Sequence, residues 1–128
     1  MRRILLINQD RPLAQTVGLA CLARGMAVGI AETLCEGIRS LLDGHVSVVL
    51  VDSALLRLPP ADQARLFDAV APGVPVAVLV SHTVSPPEGV RYQVLGLHVL
   101  SKSLSVEDLL EKVETLRLAA SLRRDGAS

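Results

Sequence analysis

The chain has 128 residues, half of them apolar, and its 13 Lys and Arg balance 13 Asp and Glu to a formal net charge of zero. That length supports one domain with a sizeable core. The balanced charge excludes a global field that would draw the chain to nucleic acid or to an anionic membrane. Only Phe67 and Tyr92 are aromatic, so the core must be built from Val, Leu, Ala and Ile.

Local composition narrows the class further. Arg2 and Arg3 at one end, and Arg117, Arg123 and Arg124 at the other, read as solvated surface rather than a phosphate-binding patch. Cys21 and Cys35 fall in expected helices without CxxC spacing and read as reduced core thiols of a cytoplasmic protein. No uninterrupted apolar run approaches the length of a membrane span. The start, Met1-Arg2-Arg3-Ile4, enters a strand at once and leaves no room for a secretion signal.

In chain order, Arg3 to Ile7 is a buried strand that ends on polar Asn8-Gln9-Asp10. Asp10 can cap the next helix, which accepts Pro12 in its first turn, runs to about Arg24 and stops at Gly25. Leu13, Val17, Ala20 and Cys21 give it an apolar face. Ala27 to Ala31 is a short second strand. Thr33 and Glu36 have capping-box spacing, so a helix starts near Leu34, buries Ile38, Leu41 and Leu42, and ends at Gly44.

The run Val46-Ser47-Val48-Val49-Leu50-Val51 is rich in β-branched residues and reads as a strand buried on both faces. Asp52 closes it and is expected just past its carboxyl end. It either caps the next turn or marks the edge where open α/β sheets bind ligands. Pro59 and Pro60 open a third helix with Leu66, Phe67 and Val70 inward. Val74 to Val80 is a fourth strand, with Pro75 tolerable only near its start. Pro86, Pro87 and Gly89 leave room for at most a short or irregular fourth helix. Gly96 to Leu100 is a fifth strand, followed by Ser101-Lys102-Ser103. Ser105 opens a last helix with Val106, Leu109, Leu110, Val113 and Leu116 inward, and the chain ends in a frayed tail over 122–128.

Five βα units with short connections predict a flavodoxin-like α/β sandwich of three layers. Its parallel five-stranded sheet would have the order 2-1-3-4-5 and right-handed crossovers. In that order the first and third strands are neighbours. Asn8, Gln9 and Asp52 then share one crevice, and Lys102 can reach it from the fifth strand.

With those residues in place, the chain resembles the receiver domain of bacterial two-component response regulators over residues 1–121. The resemblance rests on the five βα units, on Asp52 ending the third strand forty-four residues after Asn8, and on Lys102 ending the fifth. It implies that Asp52 accepts a phosphoryl group from a histidine kinase and that Lys102 pairs with the phosphoaspartate. It also implies that Asn8 and Gln9 occupy the places of two acidic residues that hold Mg²⁺.

The departures from that pattern decide the functional expectation. Asn8 and Gln9 offer neutral amide oxygens where a Mg²⁺ site uses carboxylates. Asp52 and Lys102 alone sum to zero charge, and Asp10 is claimed by its capping role. Counted back from Lys102, the family's hydroxyl position falls on Val80, with Ser81 one residue on. Val99 or His98 stands where the family has an aromatic switch residue, Ser103 replaces a Pro, and Leu56 replaces another. His45 reads as a surface turn residue, His82 as a possible lining of the crevice, and His98 as a packed or edge histidine. Their spacing is not that of a metal cluster.

The expected function is therefore an atypical, non-enzymatic receiver that works through protein–protein contact, with Mg²⁺-dependent phosphorylation impaired or lost and no other cofactor. The alternatives are a working phosphoacceptor that binds metal through Asp52, with Asp10 as a candidate second ligand, and a small-ligand-binding flavodoxin-like module. The last helix keeps an apolar stripe through Leu118, Ala119 and Leu122. With the fifth strand it predicts a homodimer or partner surface, the partner being a histidine kinase or an effector. No helix-turn-helix follows it, and nucleic-acid and membrane binding are not expected.

Overall fold

The computed structural model describes residues 3–81 and 84–126. The strands are β1 (Arg3–Ile7), β2 (Ala27–Ala31), β3 (Val48–Asp52), β4 (Val76–Val80) and β5 (Leu97–Ser101). The helices are α1 (Arg11–Ala23), α2 (Leu34–Leu42), α3 (Pro60–Val70), α4 (Pro86–Val94) and α5 (Val106–Gly126), with a short 3₁₀ turn at Ser53–Leu55. All paired strands are parallel and the order is β2-β1-β3-β4-β5, as the alternation of elements predicts.

Strand alternation sorts the core into two layers. Ile4, Leu6, Val48, Leu50, Ala77, Leu79 and Leu100 pack against Val17 and Cys21 of α1 and Leu109, Leu110 and Val113 of α5. Leu5, Ile7, Val49, Val51, Val76, Val78, Val80 and Leu97 pack against Leu41 of α2, Phe67 of α3 and Tyr92 of α4. The central strands are thus buried on both faces, which is why they read as unbroken apolar runs.

The helix starts follow their capping residues. Asp10 Oδ1 accepts from the Leu13 amide, Thr33 Oγ1 from Glu36 and Ser105 Oγ from Asp108. The acidic side of the second box reaches one residue further back, with Glu36 Oε2 accepting from the Glu32 amide. Pro86 and Pro87 fill the first turn of α4, where no amide donor is missed, so the segment is short but regularly helical.

Several boundaries and faces differ from the sequence reading. β3 and β4 each begin two residues later than expected, and Asp52 is the last residue of β3, paired with Leu79. Pro75 cannot donate to the ladder and contributes only its carbonyl, which accepts from the Val49 amide. Leu42 is 68% exposed, because α2 touches the sheet through Gly37 and Leu41 and the next position turns away. Cys35 is exposed, not a core residue, whereas Cys21 is buried and burial pushes its thiol pKa up. α5 stays helical through Gly126, over most of the stretch expected as a tail, since no Gly or Pro interrupts it earlier.

One close approach fixes α2 on the sheet. A Cβ on Gly37 would lie 2.3 Å from Cδ1 and 2.7 Å from Cγ1 of Ile7, which is itself fully buried. Gly37→Ala should therefore lower stability although Ala favours a helix by about 1 kcal/mol, because overpacking costs about 1–3 kcal/mol. Urea unfolding should show that sign reverse in an Ile7→Ala background, where the same substitution becomes stabilising.

Candidate functional site

The carboxyl edge of the sheet gathers the polar ends of β1, β3 and β5. Ile7 pairs with Val51, so Asn8 and Asp52 follow side by side. Alternation puts both on the α1/α5 face, with Leu6 and Leu50 of that layer two residues before them. Lys102 follows β5 with the same parity as Leu100.

Lys102 Nζ donates to Asp52 Oδ2 at 2.6 Å. The Asp52 side chain is 9% exposed and that of Lys102 28%. The other oxygen, Asp52 Oδ1, accepts from the Ala54 amide at 3.0 Å. The capping reading of Asp52 thus holds, one oxygen capping the turn after β3 while the other faces the lysine. The Lys102 main chain is fixed as well, its amide donating to the Val80 carbonyl at 2.9 Å. After it, the Ser103 amide donates to Ser101 Oγ and the two hydroxyls lie 2.6 Å apart, so a serine turn holds the segment where the sequence lacks Pro.

Val80 does not bring its side chain to this edge. Its side chain is buried in the α2/α3/α4 layer with Val76 and Val78, on the opposite face from Asp52, and only its carbonyl serves the edge. Counting back from Lys102 lands there because it assumes a loop length, whereas pairing register sets the face. Ser81 is exposed at the end of β4. His45 is exposed, His98 is half-buried on β5, and His82 lies outside the described residues.

The residues expected at the metal positions do different things. Asn8 is 1% exposed. Its Oδ1 accepts from the Asp10 amide at 2.5 Å, and its Nδ2 is buried without a hydrogen-bond partner among the described residues. Gln9 is exposed, and Asp10 is spent on capping α1. Among the described residues no three His, Cys, Asp or Glu side chains form a metal-holding group. A divalent ion needs oxygen ligands. Here the Asp52 carboxylate already holds Lys102 on one oxygen and the Ala54 amide on the other, and the Asn8 amide oxygen is held by the Asp10 amide. These residues do not fit Mg²⁺.

The comparisons with known proteins agree with the fold. The chain superposes with a TM-score of 0.81 on a CheY-like response regulator receiver domain protein from Methanospirillum hungatei, at 20% identity over 96% of this chain and 98% of that one. It resembles a response-regulator receiver domain. A beryllofluoride-activated NtrC4 receiver domain dimer gives 0.81 at 19% identity, over 94% of this chain and 99% of that one. In sequence, the chain is 30% identical over 114 residues to the transcriptional regulatory proteins GlrR of Escherichia coli K12 and QseF of Escherichia coli O157:H7. That match takes in 87% of this chain but 25% of each relative, so the chain spans about a quarter of their length. No protein-family model matches. Among the described residues, no helix is long and apolar enough to cross a membrane.

Sequence reasoning missed three groups at this edge: the Val80 carbonyl, the Ala54 amide and the N–H end of Asn8. The first two are main-chain groups without a side-chain signature. The third was visible as an Asn but was read for its oxygen.

Replacing Lys102 by Met leaves a nearly buried carboxylate without its cation, a loss of about 1–3 kcal/mol given the partial exposure of the lysine. Asp52→Asn keeps an oxygen for the Ala54 amide and should cost less. The double variant should be more stable than the sum of the two single losses; additive losses in urea unfolding would show that the pair contributes nothing.

Proposed function

We propose that residues 1–121 are one receiver-like unit that acts in signal transduction through protein–protein contact, in the cytoplasm and without enzymatic turnover. Mg²⁺-dependent phosphorylation of Asp52 is impaired or lost. The observation that carries this reading is the 2.6 Å Lys102–Asp52 pair with the second carboxylate oxygen on Ala54. The acceptor side chain is already neutralised and hydrogen-bonded by groups of the chain itself. Phosphoryl transfer leans on cation clamps around the transferring group. Without a metal clamp several kcal/mol of transition-state stabilisation are missing, and each 1.36 kcal/mol is about tenfold in rate.

Intact-mass spectrometry after incubation with acetyl phosphate and Mg²⁺ tests this directly. No stoichiometric phosphoryl adduct is expected. Rapid full labelling that disappears in Asp52→Ala would overturn the reading in favour of a working phosphoacceptor. One observation favours that second reading. Val80 faces away from Asp52, so strand alternation continued for one residue brings the Ser81 hydroxyl to the Asp52 face.

The contact surface we propose is the side formed by α4, β5 and α5. A groove of about 980 Å³ runs there, lined in part by Val90, Leu97, Val99, Leu104 and Leu116. Val90, Val94, Leu118 and Leu122 leave 57%, 79%, 48% and 70% of their surface exposed on the two helices. Apolar area of this kind marks an interaction surface, and the NtrC4 neighbour is described as a receiver domain dimer. The partner is a second copy, with a kinase or an effector as the physiological alternative. Sedimentation equilibrium should show self-association that Val90→Glu with Leu118→Glu abolishes. A strict monomer at high concentration would remove the homodimer from this proposal.

A further inference from the structure

We infer that β2, one edge of the sheet, is a docking edge for an extended segment of another protein whose residues alternate apolar, acidic, apolar, with the acid met by Arg3. This edge lies at the opposite end of the strand order from β5, and its use does not depend on the state of Asp52.

The backbone of β2 offers the hydrogen bonds. The Ala31 carbonyl accepts from the Asn8 amide, so Ala31 turns its polar groups to the β1 side. Successive residues of a strand turn theirs to opposite sides. Gly29 therefore follows Ala31, and Val28 and Ile30 turn their amides and carbonyls outward. β2 ends the strand order, so these groups meet no further strand. Exposed edges are commonly blunted by a charge, a Pro or a bulge. β2 reads Ala-Val-Gly-Ile-Ala in unbroken register with β1 and has none of these.

The side chains set the pattern. Val28 and Ile30 pair with Ile4 and Leu6 and share their α1 face. A Cβ on Gly18 of α1 would lie 3.7 Å from Val28 Cγ1, so the helix rests on β2 there. Ile30 is 50% exposed, and Leu22, one turn past Gly18, is 69% exposed. They form an apolar shelf for residues placed opposite Val28 and Ile30. Gly29, between those two, belongs to the other face, and Arg3 lies over it. A Cβ on Gly29 would stand 3.1 Å from Arg3 Nη2 and 3.4 Å from Nε. The guanidinium thus fills the place of a side chain at this position.

The charge of Arg3 selects the occupant. None of the ion pairs among the described residues uses it. Glu32, which follows β2, is paired with Arg11 at 3.3 Å. A residue opposite Gly29 in an added strand shows its side chain on the same face, where a carboxylate accepts from the guanidinium. A second copy paired through the same edge about Gly29 would bring two guanidinium groups together. The segment therefore comes from a different chain and carries an acid.

The test is NMR on the full chain with two synthetic peptides, acetyl-Thr-Val-Glu-Val-Thr-amide and the same peptide with Lys in place of Glu. Saturable shifts and slowed hydrogen exchange at the Val28 and Ile30 amides are expected with the acidic peptide, and binding about tenfold weaker with the lysine peptide. Arg3→Gln should keep the fold and remove that difference. Ile30→Pro takes away an outward amide without breaking the ladder to β1 and should lose the acidic peptide. If that variant does not fold, Arg3→Gln alone decides. No saturable shift at Val28 and Ile30, equal binding of the two peptides by the unmodified chain, or a preference that survives Arg3→Gln would overturn the inference. Shifts at those amides that grow with protein concentration in the absence of peptide would overturn it too, by giving the edge to a second copy.

Discussion

The ion pair between Lys102 and Asp52 joins the ends of two strands that are not neighbours. β4 lies between β3 and β5, and the lysine crosses over it. That reach is available because the main chain of Lys102 is tied to β4 itself, through the Val80 carbonyl. A pair so enclosed repays the desolvation of its charges only where the remaining polar atoms also find partners. Asp52 meets that condition through Ala54, and the residual exposure of Lys102 lowers the cost on the other side. The edge is therefore held by a small closed network, anchored in a sheet whose central strands are buried on both faces.

Which side chains reach that edge follows from parity. On β1, β3 and after β5, the residues of the α1/α5 layer continue into Asn8, Asp52 and Lys102. On β4 the same layer ends with Leu79, and Val80 belongs to the other. One-residue differences in strand end thus decide whether a residue serves the site with its side chain or with its backbone.

Parity also explains what could be read from sequence. The strands were legible because apolar β-branched runs between glycines, prolines and caps have few other solutions, and the order 2-1-3-4-5 follows from repeated βα units. The Asp52–Lys102 meeting was legible from that order alone. The faces of short helices were less so: nothing local distinguishes Leu41, buried, from Leu42, exposed, until Gly37 fixes how α2 rests on Ile7. Counting back from Lys102 could not show which face Val80 takes, because a loop carries an unknown length, whereas the Asp52–Leu79 pairing fixes it. Asn8 was placed rightly at the edge, but only the Asp10 amide reveals which end of its side chain is committed.

A site that is neutral by itself has consequences for switching. A ligand shifts a conformational equilibrium only by its difference in affinity between the states. A divalent ion gains little at an edge whose carboxylate is already matched by an ammonium. The group that can be drawn away is Lys102, and it stands at the end of β5, the strand that also floors the groove between α4 and α5. An acceptor that competes with Asp52 for the ammonium would pull on the same short segment that a partner in the groove touches from the other end. The two events share β5, so coupling between them needs no longer path than one five-residue strand and the serine turn behind it.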